Sequence, residues 1–248
     1  MLDLKGKTIL ITGASSGIGA CLAKYCDELG ANVVLSARSE DKLLRVVSQM
    51  SDKSKIILAD LTLELELQNL LTELPALDGF VHCAGKIQPF PIKFIQQKHI
   101  DELFNSNLNS AILLSSGLLK SKKLNHGASV VFISSISAEF PYLGGSLYSA
   151  SKAALESFAR SFALENAPQK MRANVVAPAL VKTEMFEQTK KAYNESDFEK
   201  FISHYPLGVG EPQDVANTIA FLLSDLSKWI TGTTIRMDGG LLLNSKRD

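Results

Sequence analysis

The chain has 248 residues, of which 46% are hydrophobic and 21% charged, enough to bury one large core in a single domain, residues 1–248. Lysine plus arginine equals aspartate plus glutamate at 26 each, so no cationic excess is available to neutralise a phosphate backbone, and no nucleic-acid partner is expected. The opening, MLDLKGKTILITG, carries no signal-type apolar run, and no window approaches 18 uncharged apolar residues, which predicts a soluble, cytoplasmic protein without a membrane partner. Cys21, Cys26 and Cys83 form no C-x-x-C and are odd in number, and His82, His99, His126 and His204 are scattered, so neither a disulfide framework nor a metal site is expected.

Taken in chain order, KTILIT is the first short apolar run rich in β-branched residues, and it leads directly into TGASSGIGACLA. This places Gly13, Gly17 and Gly19 where a strand turns into a helix. There the backbone N–H groups of the helix start attract an anion, and glycines allow close approach of a pyrophosphate. A glycine triplet alone is weak evidence; its position in the first strand–helix unit makes it a nucleotide site candidate. The second strand, ANVVLSA, ends at Ala37 and is followed by Arg38. A carboxylate near this point would select NAD, whereas a guanidinium offers charge-assisted bonds to the 2′-phosphate of NADP, so the local charge favours NADP(H) over NAD(H). The alternative for Arg38 is a surface ion pair with Glu40 or Asp41. The third strand, KIILAD, ends at Asp60, which could accept from an adenine amino group or cap the following helix.

The fourth strand, GFVHCA, is followed by residues 86–99, a stretch with two prolines that breaks the strand–helix rhythm. The fifth strand, SVVFISS, ends among Ser134, Ser135 and Ser137, any of which could hydrogen-bond a substrate carbonyl at the carboxyl end of the sheet. RANVVAP and TTIRMD supply the last two strands, with a polar, partly helical insertion at 184–210 before the helix start GEPQDV. Both irregular stretches are candidates for the substrate mouth, with Phe90, Phe94, Phe140, Tyr142 and Phe186 as possible apolar lining. Helical stretches separate the strands throughout. About seven apolar strands alternating with helices predict an α/β, Rossmann-like doubly wound parallel sheet with helices on both faces.

In YSASK, Tyr148 and Lys152 are four residues apart and share one face if the segment is helical. Bringing a tyrosine from a pKa of about 10 to near 7 requires about 4 kcal/mol of preferential anion stabilisation. One ammonium about 4 Å away gives only ~1 kcal/mol in water and several in a desolvated site. The pair therefore serves as an acid/base only if it is buried beside further positive charge, such as an oxidised nicotinamide.

With TGASSGIG, FISSIS and YSASK in this order, the chain resembles the short-chain dehydrogenase/reductase family over nearly its whole length, most closely the 3-oxoacyl-(acyl-carrier-protein) reductase branch. The resemblance implies an oxidoreductase that interconverts a carbonyl and a secondary alcohol. It selects Ser135, thirteen positions before the tyrosine, to orient the substrate, with Tyr148 as proton donor and Lys152 as the group that lowers its pKa and holds the nicotinamide ribose. Asn107 in FNSNLNS matches the family's asparagine, whose side chain holds a water in a proton relay to the lysine. Cofactor contacts are implied for Gly13, Ser15, Ser16, Gly17, Ile18, Gly19, Arg38, Asp60, Leu61, Cys83, Ala84, Gly85, Tyr148, Lys152, Pro178, Val181 and Thr183.

Two departures stand out. HCAG, His82 to Gly85, replaces the family's N-N-A-G, so Cys83 stands in for a hydrogen-bonding amide. Pro178-Ala179 replaces P-G, and a left-handed backbone at Ala179 would be disfavoured. The family also implies a homo-oligomer, dimer or tetramer, consistent with apolar residues around much of SAILLSSGLL and AALESFARSFAL. Two other readings share the fold: a cofactor-sensing or scaffold protein without catalysis, and a nucleotide-sugar epimerase. Retention of Ser135, Tyr148, Lys152 and Asn107 disfavours the first; the glycine spacing, and a length of 248 residues that does not accommodate the epimerases' longer carboxyl-terminal substrate domain, disfavour the second. The particular carbonyl is not specified by any motif, and Lys182, Lys190 and Lys191 are weak candidates for docking an acyl carrier protein.

Overall fold

In the computed structural model, which describes residues 2–191 and 194–243, the chain alternates strands and helices from β1 (Thr8–Thr12) onward. It continues through α1 (Gly17–Glu28), β2 (Asn32–Ala37), α2 (Glu40–Val47), β3 (Lys55–Leu58), α3 (Glu64–Glu73) and β4 (Leu77–His82). After the proline-bearing loop come α4 (Gln97–Phe104), a π turn (Asn105–Asn109), α5 (Ser110–Lys120), β5 (Leu124–Ile133) and α6 (Ser146–Asn166). The chain then forms β6 (Arg172–Pro178), α7 (Glu184–Lys190), α8 (Glu195–Ile202), α9 (Pro212–Leu223) and β7 (Thr234–Met237). The insertion expected at 184–210 is thus largely helical, and its residues 192 and 193 lie outside the described residues.

All seven strands are parallel, in the order β3-β2-β1-β4-β5-β6-β7. Period-two alternation sorts their side chains onto two covered faces. Leu10, Val34, Phe80, Val130, Phe132 and Val175 pack under α3, α5 and α6. Ile9, Ile11, Val33, Leu35, Val81 and Val176 pack under α1, α2 and α9. Phe80 and Phe132 meet edge to face at 6.2 Å, and both are fully buried. Truncating either to alanine would cost about 3–5 kcal/mol.

Strand order reverses between β1 and β4: the chain runs outward from β1 to β2 and β3, then returns to β4 and proceeds the other way. At such a reversal the loops leaving the two strands diverge to opposite faces and open a crevice beyond their carboxyl ends. The glycine turn after β1 and the HCAG segment at the end of β4 border it. The serines after β5 and Pro178 at the end of β6 stand on the same edge of the sheet.

Candidate active site

The glycine turn is packed too tightly for side chains. Gly13 has φ +66°, and a Cβ there would lie 2.8 Å from the Ala84 nitrogen; at Gly19 a Cβ would lie 2.3 Å from the Gly13 oxygen. The backbone after β1 therefore lies directly on Ala84 and folds back on itself before α1 starts. Gly17, with φ +52°, faces Thr183 across the crevice, where a Cβ would come 3.3 Å from the threonine methyl. Ser16 is the N-cap residue of α1 and Ser15 precedes it, so Ser15 to Gly19 form the helix entry, with Ile18 packed against the core. Thr183 accepts from the Phe186 N–H and caps α7, while Val181 bridges to Gly210.

Arg38 and Asp60, at the ends of β2 and β3, meet at 3.7 Å. Arg38 is paired with this carboxylate rather than with Glu40 or Asp41 among the described residues, and its side chain is 78% exposed. Asp60 does not cap α3, whose N-cap residue is Leu63. It accepts instead from the Thr62 N–H at 3.0 Å and the Thr62 hydroxyl at 2.7 Å, closing a local turn with buried Leu61 at its centre. Those bonds and Arg38 outweigh partial burial and hold its carboxyl below the ordinary value.

Helix α6 starts at Ser146, so Tyr148 lies in its first turn and Lys152 one turn further along the same face. Both are buried, and the Lys152 nitrogen lies 5.7 Å from the centroid of the tyrosine ring. Of the three serines, Ser135 is the one whose side chain acts on the Tyr148 phenol, and it accepts from the Ser137 N–H at 3.2 Å. Ser134 turns the other way and donates to Glu156 at 2.7 Å, whereas the buried Ser137 hydroxyl has no protein partner among the described residues. Burial pushes the Tyr148 phenol up to about 12 against the lowering effect of Ser135. Burial pulls the Lys152 ammonium down to about 8. The protein alone thus keeps the phenol protonated, as a proton donor to a carbonyl must be.

Asn107 is at the centre of the π turn, where one extra residue in the helical ring redirects the side chains. Its Nδ2 donates to the Lys86 carbonyl at 2.9 Å and to the Ser151 hydroxyl at 3.2 Å, while its Oδ1 accepts from the Lys86 N–H at 2.8 Å. Both amide hydrogens are therefore committed, and one lone pair of Oδ1 remains. A Cβ at Gly85 would lie 3.3 Å from that oxygen and 3.4 Å from the Lys152 nitrogen, so the two polar atoms flank the same narrow space.

The HCAG departure resolves into two distinct environments. Cys83 packs partly against the core, and burial pushes its thiol up to about 12. The polar work of this segment falls to His82, fully buried between Thr12 and Ser110. Ala179 adopts no left-handed backbone: among the described residues positive φ outside glycine occurs at Lys122 and Lys170. Its N–H donates to the Met237 carbonyl at 2.8 Å, tying Pro178 and the loop after it to β7.

The aromatic candidates divide. Phe186 is buried against Phe198 and belongs to the packing of the α7–α8 insertion. Phe90 stacks on His99 with centroids 4.0 Å apart and donates its N–H to Gly144, joining the loop after β4 to the approach to α6. Phe94, Phe140 and Tyr142 are exposed on these loops. Lys182 is paired with Glu211.

Known proteins place this arrangement. The family described as enoyl-(acyl carrier protein) reductase matches residues 13–242. A 3-oxoacyl-[acyl-carrier-protein] reductase of Rickettsia felis is 35% identical over 98% of this chain and all of its own length. This chain belongs to the short-chain dehydrogenase/reductase family. It is an oxidoreductase of that family. A tropinone reductase homolog from Arabidopsis thaliana is 34% identical, covering 98% of this chain and 93% of the relative. Among solved short-chain dehydrogenases/reductases, one from Mycobacterium ulcerans superposes with a TM-score of 0.88 at 27% identity, over 98% of this chain and 92% of its own. A dehydrogenase/reductase from Sinorhizobium meliloti gives 0.87 at 30% identity, over 97% and 96%.

Proposed function

We propose that this short-chain dehydrogenase/reductase is an NADP(H)-dependent reductase of a 3-oxoacyl thioester, using Ser135, Tyr148, Lys152 and Asn107. The observation that carries the reading is the buried phenol of Tyr148, with Ser135 acting on it and the buried Lys152 ammonium beside it, at the crevice bordered by the glycine turn. The relatives named as 3-oxoacyl-[acyl-carrier-protein] reductases support the substrate class, since the chain matches the Rickettsia felis protein end to end.

The residues present fit a dinucleotide. Gly13 and Gly19 leave no room for side chains where a pyrophosphate would approach, and the amides of Ser16 to Gly19 open helix α1 toward it. Arg38, already exposed, would hold a 2′-phosphate, with Asp60 and Leu61 beside the adenine. Ala84 and Gly85 would back the nucleotide, while Pro178, Val181 and Thr183 would face the nicotinamide end. When bound, the nicotinamide supplies a hydride to the carbonyl carbon.

Ser135 orients the carbonyl oxygen and, with Tyr148, draws negative charge toward it. Tyr148 gives its hydroxyl proton to that oxygen. Lys152 then stabilises the phenolate by its charge, while Asn107 holds a water through the remaining Oδ1 lone pair, and that water returns a proton by way of the lysine. The apolar side chains of Phe94, Phe140 and Tyr142 border the mouth through which an acyl chain would enter.

The enzyme is read as cytoplasmic and as a homo-oligomer. Among the described residues no helix is long and apolar enough to cross a membrane, and Leu113 on α5 and Leu164 on α6 are 55% and 79% exposed, as expected for faces covered by another copy. A screen of acetoacetyl thioesters, sugars and steroids with NADPH and NADH tests the reading. Oxidation of NADPH with the thioesters is the expected result; tight NADPH binding without turnover on any ketone would support the scaffold reading instead.

A further inference from the structure

The polar row at the carboxyl edge of the sheet runs across three strands, for Thr12 is in register with Ser36 on one side and with His82 on the other. His82 is fully buried and belongs to neither the phenol–lysine pair nor the surface of the crevice. Thr12 Oγ1 lies 3.1 Å from its Nδ1, and Ser110 Oγ lies 3.4 Å from its Nε2. The Ser110 hydroxyl also lies 2.7 Å from the carbonyl of Ser106, one turn back, the shorter of its two contacts.

Proton counting sets the direction. A hydroxyl has one hydrogen, and the shorter contact commits that of Ser110 to Ser106. Ser110 Oγ must then accept from His82, which places the single hydrogen of a neutral imidazole on Nε2. Nδ1 is left as an acceptor, and the Thr12 hydroxyl donates to it rather than to the more distant Val81 carbonyl at 3.5 Å. The reverse arrangement would put the hydrogen on Nδ1, turn Thr12 toward Val81 and leave the Ser106 carbonyl without the Ser110 hydroxyl.

The two ends of this chain of bonds matter. Thr12 immediately precedes Gly13, whose backbone lies on Ala84, and Ser106 immediately precedes Asn107 within the π turn. We propose that His82, as its Nε2–H tautomer, is a positioning residue that ties the nucleotide-binding glycine turn to the π turn carrying Asn107 through the series Thr12, His82, Ser110, Ser106. The assignment of a role to those two ends rests on the function proposed above; the hydrogen-bond series itself does not. An asparagine cannot replace the imidazole here. Its two polar atoms stand where Nδ1 and Cδ2 do, and Nε2 reaches one bond further toward α5. His82 is thus this chain's way of spanning a gap between sheet and helix that a carboxamide would leave open.

The test combines nitrogen NMR of the histidine-labelled full chain without nucleotide and a double-mutant cycle on NADPH affinity. The His82 resonances, identified by their loss in His82→Asn, should show a protonated Nε2 and an unprotonated, hydrogen-bonded Nδ1. Ser110→Ala should weaken NADPH binding about tenfold, and His82→Asn by a similar factor. The double variant should be no weaker than either alone, because both break one series. A protonated Nδ1 overturns the proposal whatever the variants do, and so do independent, multiplying losses or an unchanged affinity in Ser110→Ala. If the wild-type chain fails to bind NADPH, the proposed function fails, while the NMR arm still decides the tautomer and with it the hydrogen-bond series.

Discussion

The Lys152 ammonium donates to the Ile133 carbonyl at 2.7 Å, a bond that anchors helix α6 to the last residue of β5. One backbone carbonyl does not repay full desolvation of an ammonium, which is why burial lowers its pKa from 10.5 to about 8. Below about pH 8 the folded chain carries this charge at a cost; between about 8 and 10.5 the unfolded chain binds the extra proton, so this contribution to stability rises with pH. Lys152→Met is therefore expected to raise Tm by a few degrees at pH 7 while abolishing turnover. The gain should shrink as the pH is raised toward 10.5. Thermal melts across this range check it, and a Tm lowered at pH 7 would contradict it.

Arg38 is held loosely, 3.7 Å from Asp60, and is mostly exposed. Its guanidinium is free to turn toward a 2′-phosphate, and charge-assisted bonds of about 1.5–3 kcal/mol are at stake. Arg38→Glu should weaken NADPH binding by roughly 10–100-fold while leaving NADH affinity equal or improved. Fluorescence titration with both nucleotides measures this, and equal losses for the two would remove Arg38 from 2′-phosphate recognition.

Gly13→Ala tests the cradle. The substitution forces a side chain into a left-handed backbone, costing about 1–2 kcal/mol, and places its methyl within 3 Å of the Ala84 backbone. The expected result is a lower Tm and at least a tenfold loss of NADPH affinity. Unchanged nucleotide binding would show that the turn and HCAG need not be in contact.

How much of this was legible in the sequence follows from the range of each interaction. The five inner strands are local signals, because runs such as ILIT and VVFI are buried on both faces and carry no polar alternation to disguise them, while the edge strands β3 and β7 are only partly buried. Tyr148 and Lys152 are also local, one turn apart on α6. The π turn at Asn105–Asn109 has no residue signature, since an extra residue in a helical ring is set by what packs around it. Asp60 read equally well as a helix cap or an adenine partner, and only the start of α3 at Glu64 removes the first. His82 reads as an isolated histidine because its partners, Thr12 and Ser110, are 70 and 28 residues away in the chain. The sequence did signal the place, through the HCAG departure, although the polar substitution is carried by the histidine and not by Cys83.

Leu113 on α5, which follows the π turn carrying Asn107, and Leu164 on α6, which carries Lys152, are exposed. Covering them with a second copy would remove apolar area from water at about 25 cal/mol per Å². Sedimentation of the wild type should show a dimer or tetramer, and Leu113→Glu with Leu164→Glu should shift it toward monomer. A wild-type species of only 26.9 kDa would reject the oligomer.

The most direct test of the account is Tyr148→Phe, measured for turnover of an acetoacetyl thioester and for NADPH affinity on the same preparation. Removing the hydroxyl removes the proton donor while leaving the ring and the glycine cradle in place. Turnover should fall by about 10²–10⁴-fold or more, with NADPH affinity within about twofold of wild type. Retention of most of the wild-type turnover by Tyr148→Phe would contradict the assignment of this residue as the acid and, with it, the proposed mechanism.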